Sequence, residues 1–228
     1  MINFEECNGL FAHSTYSVLK RDSILESADE ALSSRMLFPP DIEKFHPQRK
    51  EEFILGRICA NKAYMKLTGE ELLNLPVGPS REPLWPGNLV GSISHNRFWV
   101  GAAVAQKNSL LGLGIDFEVM GRTRQELARY ITNEQDLTSV EGCTEEELLT
   151  FIFSAKESLY KALFPLVNKF FGFDAAAVTD VNIHEKTFEI QLLTHLSDVF
   201  KPHQRCKFTG RYERDNTSCL TVIEIPHS

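Results

Sequence analysis

The spacing of apolar and polar positions changes along this chain from helical periods to strand alternation and back. Residues 40–68 carry apolar side chains at helical intervals, after two prolines and up to Gly69. Such spacing gathers apolar side chains on one face of a helix, and glycine is typical just past a helix C-terminus. The pattern therefore predicts a long helix over residues 40–68.

A second helix is predicted over residues 144–164. Thr144 and Glu147 form the pair that marks a capping box at a helix N-terminus, and apolar residues follow at helical intervals. Pro165 lacks the backbone N–H that a helix interior needs, so we expect it to disturb or end this helix. Each half of the chain thus contributes one long helix.

Shorter runs that are apolar throughout or alternate in polarity predict β-strands. They cover residues 90–95, 97–105, 110–119, 178–184, 187–193, 206–212 and 218–225, with turns at residues 185–186 and 215–216. Residues 75–91 are rich in proline and glycine, which favours an irregular surface loop of the kind that binds ligands. Because the elements lack the regular βαβ order of a parallel sheet, the pattern predicts a mixed α+β fold.

Composition places the 228-residue chain among globular proteins, with 43% hydrophobic residues and a formal net charge of −7. That length fits one large domain or two small ones. The charges are scattered without a basic stripe, so nucleic acid is not expected as a partner. An acidic N-terminus, short apolar runs and five cysteines without a C-x-x-C pair predict a reduced, cytoplasmic protein.

Asp116 and Glu118 are the sharpest chemical feature of the predicted strand 110–119. Side chains two apart in a strand emerge on one face, so the two carboxylates raise each other's pKa unless a cation lies between them. Oxygen ligands on a rigid strand suit Mg²⁺. The alternative is a solvated strand face that carries two acids, and the D-x-E pattern alone does not decide between them.

Glu157 and Lys161 lie four residues apart on one face of the second predicted helix. On a wet surface they would form an ordinary i,i+4 ion pair, which is the simpler interpretation of the spacing. The helix is apolar enough to be mostly packed, however, which would leave both charges in a narrow polar strip at the edge of a core. Partly buried charges usually have partners or chemistry.

Side chains that could bind phosphate occur in two further places. The strand 90–95 ends in Ser94 and His95, which face opposite sides of a strand and so cannot easily form a nucleophile–base pair for acyl transfer. Arg49 and Arg57 are eight residues apart in the first predicted helix and can reach one anion from the same side. The sequence contains neither the P-loop nor the Rossmann glycine motif.

Taken in chain order, these motifs resemble the surfactin-type 4′-phosphopantetheinyl transferases, and within them the enterobactin synthase component D branch. The motifs are R-x₇-R from Arg49, R-E-P-L-W-P from Arg81, G-S-I-S-H from Gly91, G-I-D-F-E from Gly114 and F-S-A-K-E-S-L-Y-K-A from Phe153. The resemblance extends from about Gln48 to Val178. One departure is Arg81-Glu82-Pro83, where many relatives have Gly-Lys-Pro.

The resemblance implies transfer of the 4′-phosphopantetheine arm of coenzyme A to a carrier-protein serine, with release of adenosine 3′,5′-bisphosphate. It implies that Asp116, Glu118 and Glu157 hold Mg²⁺ or Mn²⁺ and, with Lys161, are the catalytic residues; which carboxylate accepts the serine proton stays open. The implied coenzyme A contacts are Arg49 and Arg57 at the 3′-phosphate, Arg81, Glu82 and Pro83 at the adenine, Ser94 and His95 at the pyrophosphate, and Lys156 and Lys161 as further cofactor-binding residues.

The family architecture implies two similar α+β subdomains with pseudo-two-fold symmetry and the active site in the cleft between them. Residues 1–109 would form the half that contacts the nucleotide, and residues 110–228 the half that carries the metal site and the catalytic helix. The resemblance also implies a monomer, and allows peripheral membrane association with a siderophore synthase complex.

The implied partners are carrier-protein domains of nonribosomal peptide or polyketide synthases, with siderophore synthesis as the expected pathway. Because carrier proteins are acidic, Arg122, Arg124 and Arg129 are candidates for a docking patch. The aromatic group Phe164, Phe170, Phe171 and Phe173 is expected to fill the core, with an apolar docking ridge as the alternative. Two other functions stay open: a Mg²⁺-dependent nucleotide phosphohydrolase and a non-catalytic coenzyme A-binding subunit.

Overall fold

The computed structural model describes residues 2–21, 27–204 and 206–227. Two antiparallel sheets are each backed by one long helix. The helices are α1 Ser27–Ser33, α2 Pro47–Thr68, α3 Ala128–Ile131 and α4 Glu145–Val167, and the strands are β1 Thr15–Lys20, β2 Leu89–His95, β3 Trp99–Gln106, β4 Leu110–Val119, β5 Ala176–Asn182, β6 Thr187–Leu192, β7 Lys207–Arg214 and β8 Ser218–Pro226. Among the helices described, none has the length and apolar character needed to cross a membrane.

Helix α2 begins later than its apolar pattern predicts. Residues 40–46 instead contain a short 3₁₀ turn, Ile42–Lys44, and Pro47 occupies the start of the helix, where a missing N–H costs nothing. The predicted C-terminus is confirmed, because Gly69 ends the helix with a φ of 78°. Glycine adopts that left-handed conformation without the strain that a side chain would cause.

Helix α4 confirms the predicted capping box, since the Thr144 side chain and the Glu147 side chain each bond to the other's backbone N–H. Pro165, by contrast, does not end the helix. It lies in the last turn, so only the hydrogen bond to the carbonyl of Lys161 is lost. The helix continues to Val167 and stops at Asn168, whose φ of 47° is left-handed.

Both sheets have one topology in common, as two similar subdomains require. The strand order is β1-β3-β2 in the first sheet and β4-β8-β7-β6-β5 in the second. In each half, the first strand pairs antiparallel with the last strand, and the long helix lies between them in the chain. Strands β5 and β6 are an extension that the first half lacks among its described residues.

Two glycines let helix α4 pack directly on strand β4. A Cβ at Gly114 would lie 1.9 Å from the carbonyl oxygen of Ser158, and a Cβ at Gly112 would lie 2.4 Å from that of Ala162. Only residues without a side chain permit such an approach. Because side chains alternate along a strand, Asp116 emerges beyond these glycines on the same face, toward the helix.

The segment that precedes β1 reaches across to the second half of the molecule. Phe4 is fully buried between Trp99 of β3 and Phe117 of β4, with ring centroids 5.2 Å and 5.6 Å away in edge-to-face contacts. The Ser14 hydroxyl donates a hydrogen bond to the carboxylate of Glu224 in β8. One apolar cluster therefore extends through both halves.

Several elements differ from their sequence predictions. The pattern missed β1, α1 and α3, and most predicted strand bounds are off by one or two residues, whereas β4 begins and ends where predicted. Strand β3 begins at Trp99 instead of residue 97. The Asn96 side-chain oxygen accepts hydrogen bonds from the N–H groups of Phe98 and Trp99, which holds that stretch in a turn.

The aromatic group at the C-terminal end of helix α4 is only partly a core cluster. Phe171 and Phe173 are half-buried and pack against the apolar cluster of the second half, as predicted. Phe170 is 77% exposed, so its predicted burial is wrong. Phe164, Phe170 and Phe171 have ring centroids between 5.0 Å and 5.9 Å from that of Tyr160, on the surface of the helix. The reason is the left-handed turn at Asn168, after which the chain runs back over the outside of α4.

Replacing Gly114 with alanine is expected to lower the free energy of unfolding by about 3 kcal/mol, since the new methyl group must push β4 and α4 apart. Equilibrium unfolding in urea measures this loss. Gly87→Ala is the matched control, because nothing among the described residues lies within 4 Å of a Cβ at Gly87. Equal effects of the two substitutions would contradict the close packing at Gly114.

Candidate active site

A cleft of about 590 Å³ separates the two halves of the molecule. One wall is built by residues 80–85 and by β2, and the other by β4 and α4. Glu157 and Lys161 of α4 line the second wall, and Arg81, Glu82 and Pro83 line the first. Predicted site residues from both halves therefore face one space.

Lys161 joins the helix to the acidic strand. Its ammonium lies 2.6 Å from Asp116 Oδ1, 3.1 Å from the Ser94 hydroxyl and 3.1 Å from the carbonyl of Ile115. The lysine therefore pairs with Asp116, and the surface ion pair with Glu157 that its spacing allowed is not the arrangement found. Glu157 and Lys161 do share one helix face, as predicted.

The three predicted acids act on one another electrostatically. Burial, followed by the charge of Asp116, raises the pKa of Glu118 to about 7, and Glu157 adds to the shift while Lys161 opposes it. The pKa of Glu157 is likewise raised, first by burial and then by Asp116, again against Lys161. Three carboxylates with a single nearby lysine form a site with excess negative charge.

The donor set of this site fits a divalent cation. Asp116 is only 4% exposed, and its Oδ2 is buried without a hydrogen-bond partner among the described residues. Within the described ranges, no three His, Cys, Asp or Glu side chains are yet gathered as a complete ligand set. The ammonium of Lys161 lies 2.6 Å from Asp116 Oδ1 and balances part of the negative charge there. A buried, unpaired carboxylate oxygen is one that Mg²⁺ would satisfy.

The Ser94 hydroxyl is fully used inside the protein. It donates to Asp116 Oδ1 at 3.0 Å and accepts from Lys161 and from the N–H of Phe117. Ser94 therefore orients the acid and the lysine, and it joins β2 to β4 between the two halves. His95 points to the other side of the strand, as the alternation predicts.

His95 is in contact with Arg49 of helix α2. Arg49 Nη1 lies 2.9 Å from His95 Nε2, and because arginine only donates, this nitrogen accepts and the ring proton is on Nδ1. The pKa of His95 is lowered, chiefly by burial; Glu52 opposes this shift and Arg49 adds to it. The ring is therefore neutral, and the half-exposed guanidinium of Arg49 keeps its charge for an anion.

Arg57 is a cation with no ion-pair partner in the described part of the chain. Its guanidinium carbon lies 3.7 Å from the ring centroid of Phe53, and its Nε is buried without a hydrogen bond. Burial, followed by the charge of Arg49, lowers the pKa of Arg57 to about 10. Two neighbouring cations that repel each other form a site that an anionic ligand would stabilise.

The wall opposite α4 also contains a buried carboxylate oxygen without a hydrogen-bond partner within the described ranges. Glu82 Oε2 is buried and has no hydrogen-bond partner among the described residues. The carboxylate folds over Gly78, where a Cβ would lie 2.2 Å from Oε1. Arg81 beside it has a φ of 68°, and Pro83 follows in the cleft wall. An N–H donor of a bound base would satisfy the free oxygen of Glu82.

Lys156 requires a correction. Its buried ammonium donates to Asp136 Oδ2 at 2.6 Å and to the carbonyls of Ile131 at 2.8 Å and Phe173 at 3.0 Å. All three N–H groups are thus used inside the protein, which overturns the prediction that Lys156 binds coenzyme A. The residue instead holds the end of helix α3, Asp136 and the turn at Phe173 against helix α4.

Sequence reasoning missed several residues that shape this site. Gly112 and Gly114 lie on the same face of β4 as the two acids, because the four residues are spaced two apart in the chain. The sequence already contained this signal. The Ser92 hydroxyl accepts the N–H of Ile115 at 3.1 Å across the two halves. Glu52 lies beside Arg49 and His95, and nothing in its spacing distinguishes it from a solvated acid.

Comparison with known proteins agrees with this geometry. The model of the 4′-phosphopantetheinyl transferase N-terminal domain matches residues 39–105, and that of the 4′-phosphopantetheinyl transferase superfamily matches residues 112–214. Together these matches include both walls of the cleft and all the acids discussed above.

Three relatives match most of the chain. The 4′-phosphopantetheinyl transferase Svp of Streptomyces mobaraensis is 31% identical over 212 residues, covering 88% of this chain and 82% of its own. The 4′-phosphopantetheinyl transferase Npt of Nocardia iowensis is 30% identical, covering 84% of this chain and 94% of its own. Enterobactin synthase component D of Salmonella typhi is 34% identical, covering 79% and 75%. The chain belongs to the 4′-phosphopantetheinyl transferase superfamily.

Proposed function

We propose that this protein transfers the 4′-phosphopantetheine arm of coenzyme A to a serine of an apo carrier protein, with the acids of β4 and α4 as its catalytic centre. The observation that carries the assignment is that Lys161 pairs with Asp116 while the charge of Asp116 raises the pKa values of both Glu118 and Glu157. Glu157 and Lys161 line the cleft between the two halves, and Arg57 in the first half has no ion-pair partner among the described residues. Family membership supports the same reaction.

Asp116, Glu118 and Glu157 are the residues that would hold the divalent cation, Mg²⁺ or Mn²⁺. Bound there, the ion would act as a Lewis acid on the pyrophosphate oxygens. Lys161 would then turn its charge from Asp116 toward phosphate, since its flexible side chain is 27% exposed and lies on the cleft wall. Ser94 would keep Asp116 in place during that exchange.

The transfer itself exchanges one P–O bond for another. The serine oxygen of the carrier bonds to the phosphorus that bears the pantetheine arm, and the bond from that phosphorus to the adenosine-side phosphate oxygen breaks. Glu157 accepts the serine proton, directly or through water, because its carboxylate lines the cleft within reach of the incoming hydroxyl. Adenosine 3′,5′-bisphosphate leaves with the electron pair, and Lys161 stabilises its charge.

The nucleotide end of coenzyme A would occupy the first half of the cleft. Arg49 and Arg57 would bind the 3′-phosphate, and His95 the pyrophosphate side. Residues 81–83 would contact the adenine, whose amino group can donate to the free oxygen of Glu82. We assign residues 1–109 to this nucleotide half and residues 110–228 to the metal half.

Carrier docking would use the segment after β4. Arg122, Arg124 and Arg129 are exposed there, together with Leu127 and Tyr130, which are 46% and 61% exposed. A basic and apolar surface next to the acids suits an acidic carrier helix. Relatives named enterobactin synthase component D favour siderophore carriers, and we assign the protein to that surfactin-type group, acting as a monomer.

The decisive experiment is incubation with coenzyme A, Mg²⁺ and a panel of apo carrier proteins. Mass spectrometry should find one phosphopantetheine added to the carrier. Asp116→Ala should lower this transfer at least about a hundredfold with its circular dichroism unchanged, because the buried metal ligand is lost. Asp198→Ala, an exposed acid, is the control. Hydrolysis of coenzyme A without modified carrier would favour the phosphohydrolase, and full activity of Asp116→Ala the non-catalytic subunit.

Repulsion among the acids predicts that Glu118→Gln stabilises the metal-free fold. A carboxyl whose folded pKa is raised from 4.5 to about 7 loses native stability as the pH rises from about 4.5 through 7. The gain from glutamine should therefore be small at pH 4.5 and reach roughly 3 kcal/mol above pH 7. Thermal unfolding in EDTA across this range measures it, and a gain that shrinks as the pH rises would contradict the charge repulsion.

Charge reversal tests the docking surface. Arg124→Glu and Arg129→Glu are each expected to raise the KM for an acidic carrier roughly fivefold and to leave the KM for coenzyme A unchanged, since the repulsion acts on encounter. Lys207→Glu, an exposed strand position of the same half, is the control. A carrier KM that responds equally to all three substitutions would place docking elsewhere.

A further inference from the structure

A buried carboxylate lies among the cations that face the nucleotide half of the cleft. Glu52 of helix α2 has a side chain that is only 10% exposed. Its Oε1 accepts from Arg21 and from Gln48, each at 3.1 Å, and its Oε2 lies 3.6 Å from Arg49 Nη1. None of the motifs that define the site includes this acid.

Such a position is unfavourable for an acid with no function there. Burial removes the solvation of a carboxylate, and its charge repels any phosphate that binds nearby. Ion pairs and hydrogen bonds with neighbouring donors offset this cost. Arg21, whose side chain is 8% exposed, and Arg49 are two such neighbours, and Glu52 lies between them.

We propose that Glu52 is the positioning residue that fixes the guanidinium of Arg49, against His95, for the 3′-phosphate of coenzyme A; this rests on the proposed function. Two contacts then fix Arg49, and the remaining part of its guanidinium is free for the ligand. Glu52 attracts it from the helix side, His95 Nε2 accepts one N–H at 2.9 Å, and the rest of the guanidinium stays exposed toward the ligand. Glu52 Oε1 is used by two protein donors, and Oε2 lies 3.6 Å from Arg49 Nη1 and 3.7 Å from His95 Nε2, so Glu52 acts on the ligand through Arg49.

Arg57 provides the internal contrast. It is held by the ring of Phe53, and Glu52 does not contribute to its pKa shift. Loss of Glu52 should therefore weaken one of the two arginines assigned to the 3′-phosphate and spare the other. The effect should be partial and confined to substrates that carry that phosphate.

The test compares coenzyme A with 3′-dephospho-coenzyme A in the full-length Glu52→Gln variant. Glutamine keeps an oxygen for Arg21 but removes the charge that holds Arg49. We expect the KM for coenzyme A to rise about tenfold with kcat within twofold, while the KM for the dephospho substrate stays unchanged. Glu51→Gln is the matched control: Glu51 also bonds to Arg21, at 2.9 Å, but is half-exposed and has no contact with Arg49 among the described residues.

The outcomes separate the two claims. If the wild-type enzyme uses both substrates equally, or transfers nothing, the assigned function of the arginines fails. If the wild type prefers coenzyme A and Glu52→Gln keeps that preference, or raises both KM values alike, the positioning role of Glu52 is refuted. Should Glu52→Gln not fold, Glu52→Asp makes the same comparison, since it keeps the charge and withdraws it from Arg49. Combined with Arg49→Met, the Glu52 substitution should add no further loss.

Discussion

The contact between helix α4 and strand β4 decides what the cleft can do. Gly112 and Gly114 let the helix backbone reach the strand backbone, and the next two residues on that strand face are the acids. The same contact brings Lys161 onto Asp116. Had the strand carried ordinary side chains at these two positions, helix and strand would stand farther apart and the charges would not meet. Backbone proximity, more than any single charge, therefore creates the site.

The two sides of the cleft carry opposite excess charge, negative in the second half and positive in the first. The second half holds carboxylates whose pKa values are raised, and the first half holds Arg57, whose pKa is lowered by burial and by the charge of Arg49. Lys161 in the second half and Glu52 in the first offset part of these charges, and Arg57 has no ion-pair partner among the described residues. A ligand with a bound divalent cation at one end and a phosphate at the other would neutralise the acids and the arginines together. The charges of the protein are therefore in place before the ligand binds, which is electrostatic preorganisation.

The sequence predicts the parts of this structure that follow from local rules. The capping box at Thr144, the glycine stop at Gly69 and the shared face of Asp116 and Glu118 all depend on residues close in the chain. The prediction for Lys156 was wrong because Asp136 and the carbonyls of Ile131 and Phe173 surround its ammonium, and those partners come from distant segments. Glu52 was missed for the same reason. Its carboxylate is buried by Arg21, which follows β1, and by His95 at the end of β2, and both are distant in the chain.

The insertion of Phe4 between rings from both sheets bears on how the molecule can be divided. A cut in the connection between β3 and β4 would separate two pieces that repeat the same topology. Phe4 would stay with the first piece and lose its contact with Phe117 of the second, so its ring would be left partly exposed. The two halves therefore repeat one topology but share part of one apolar core, and we expect them to unfold in a single transition.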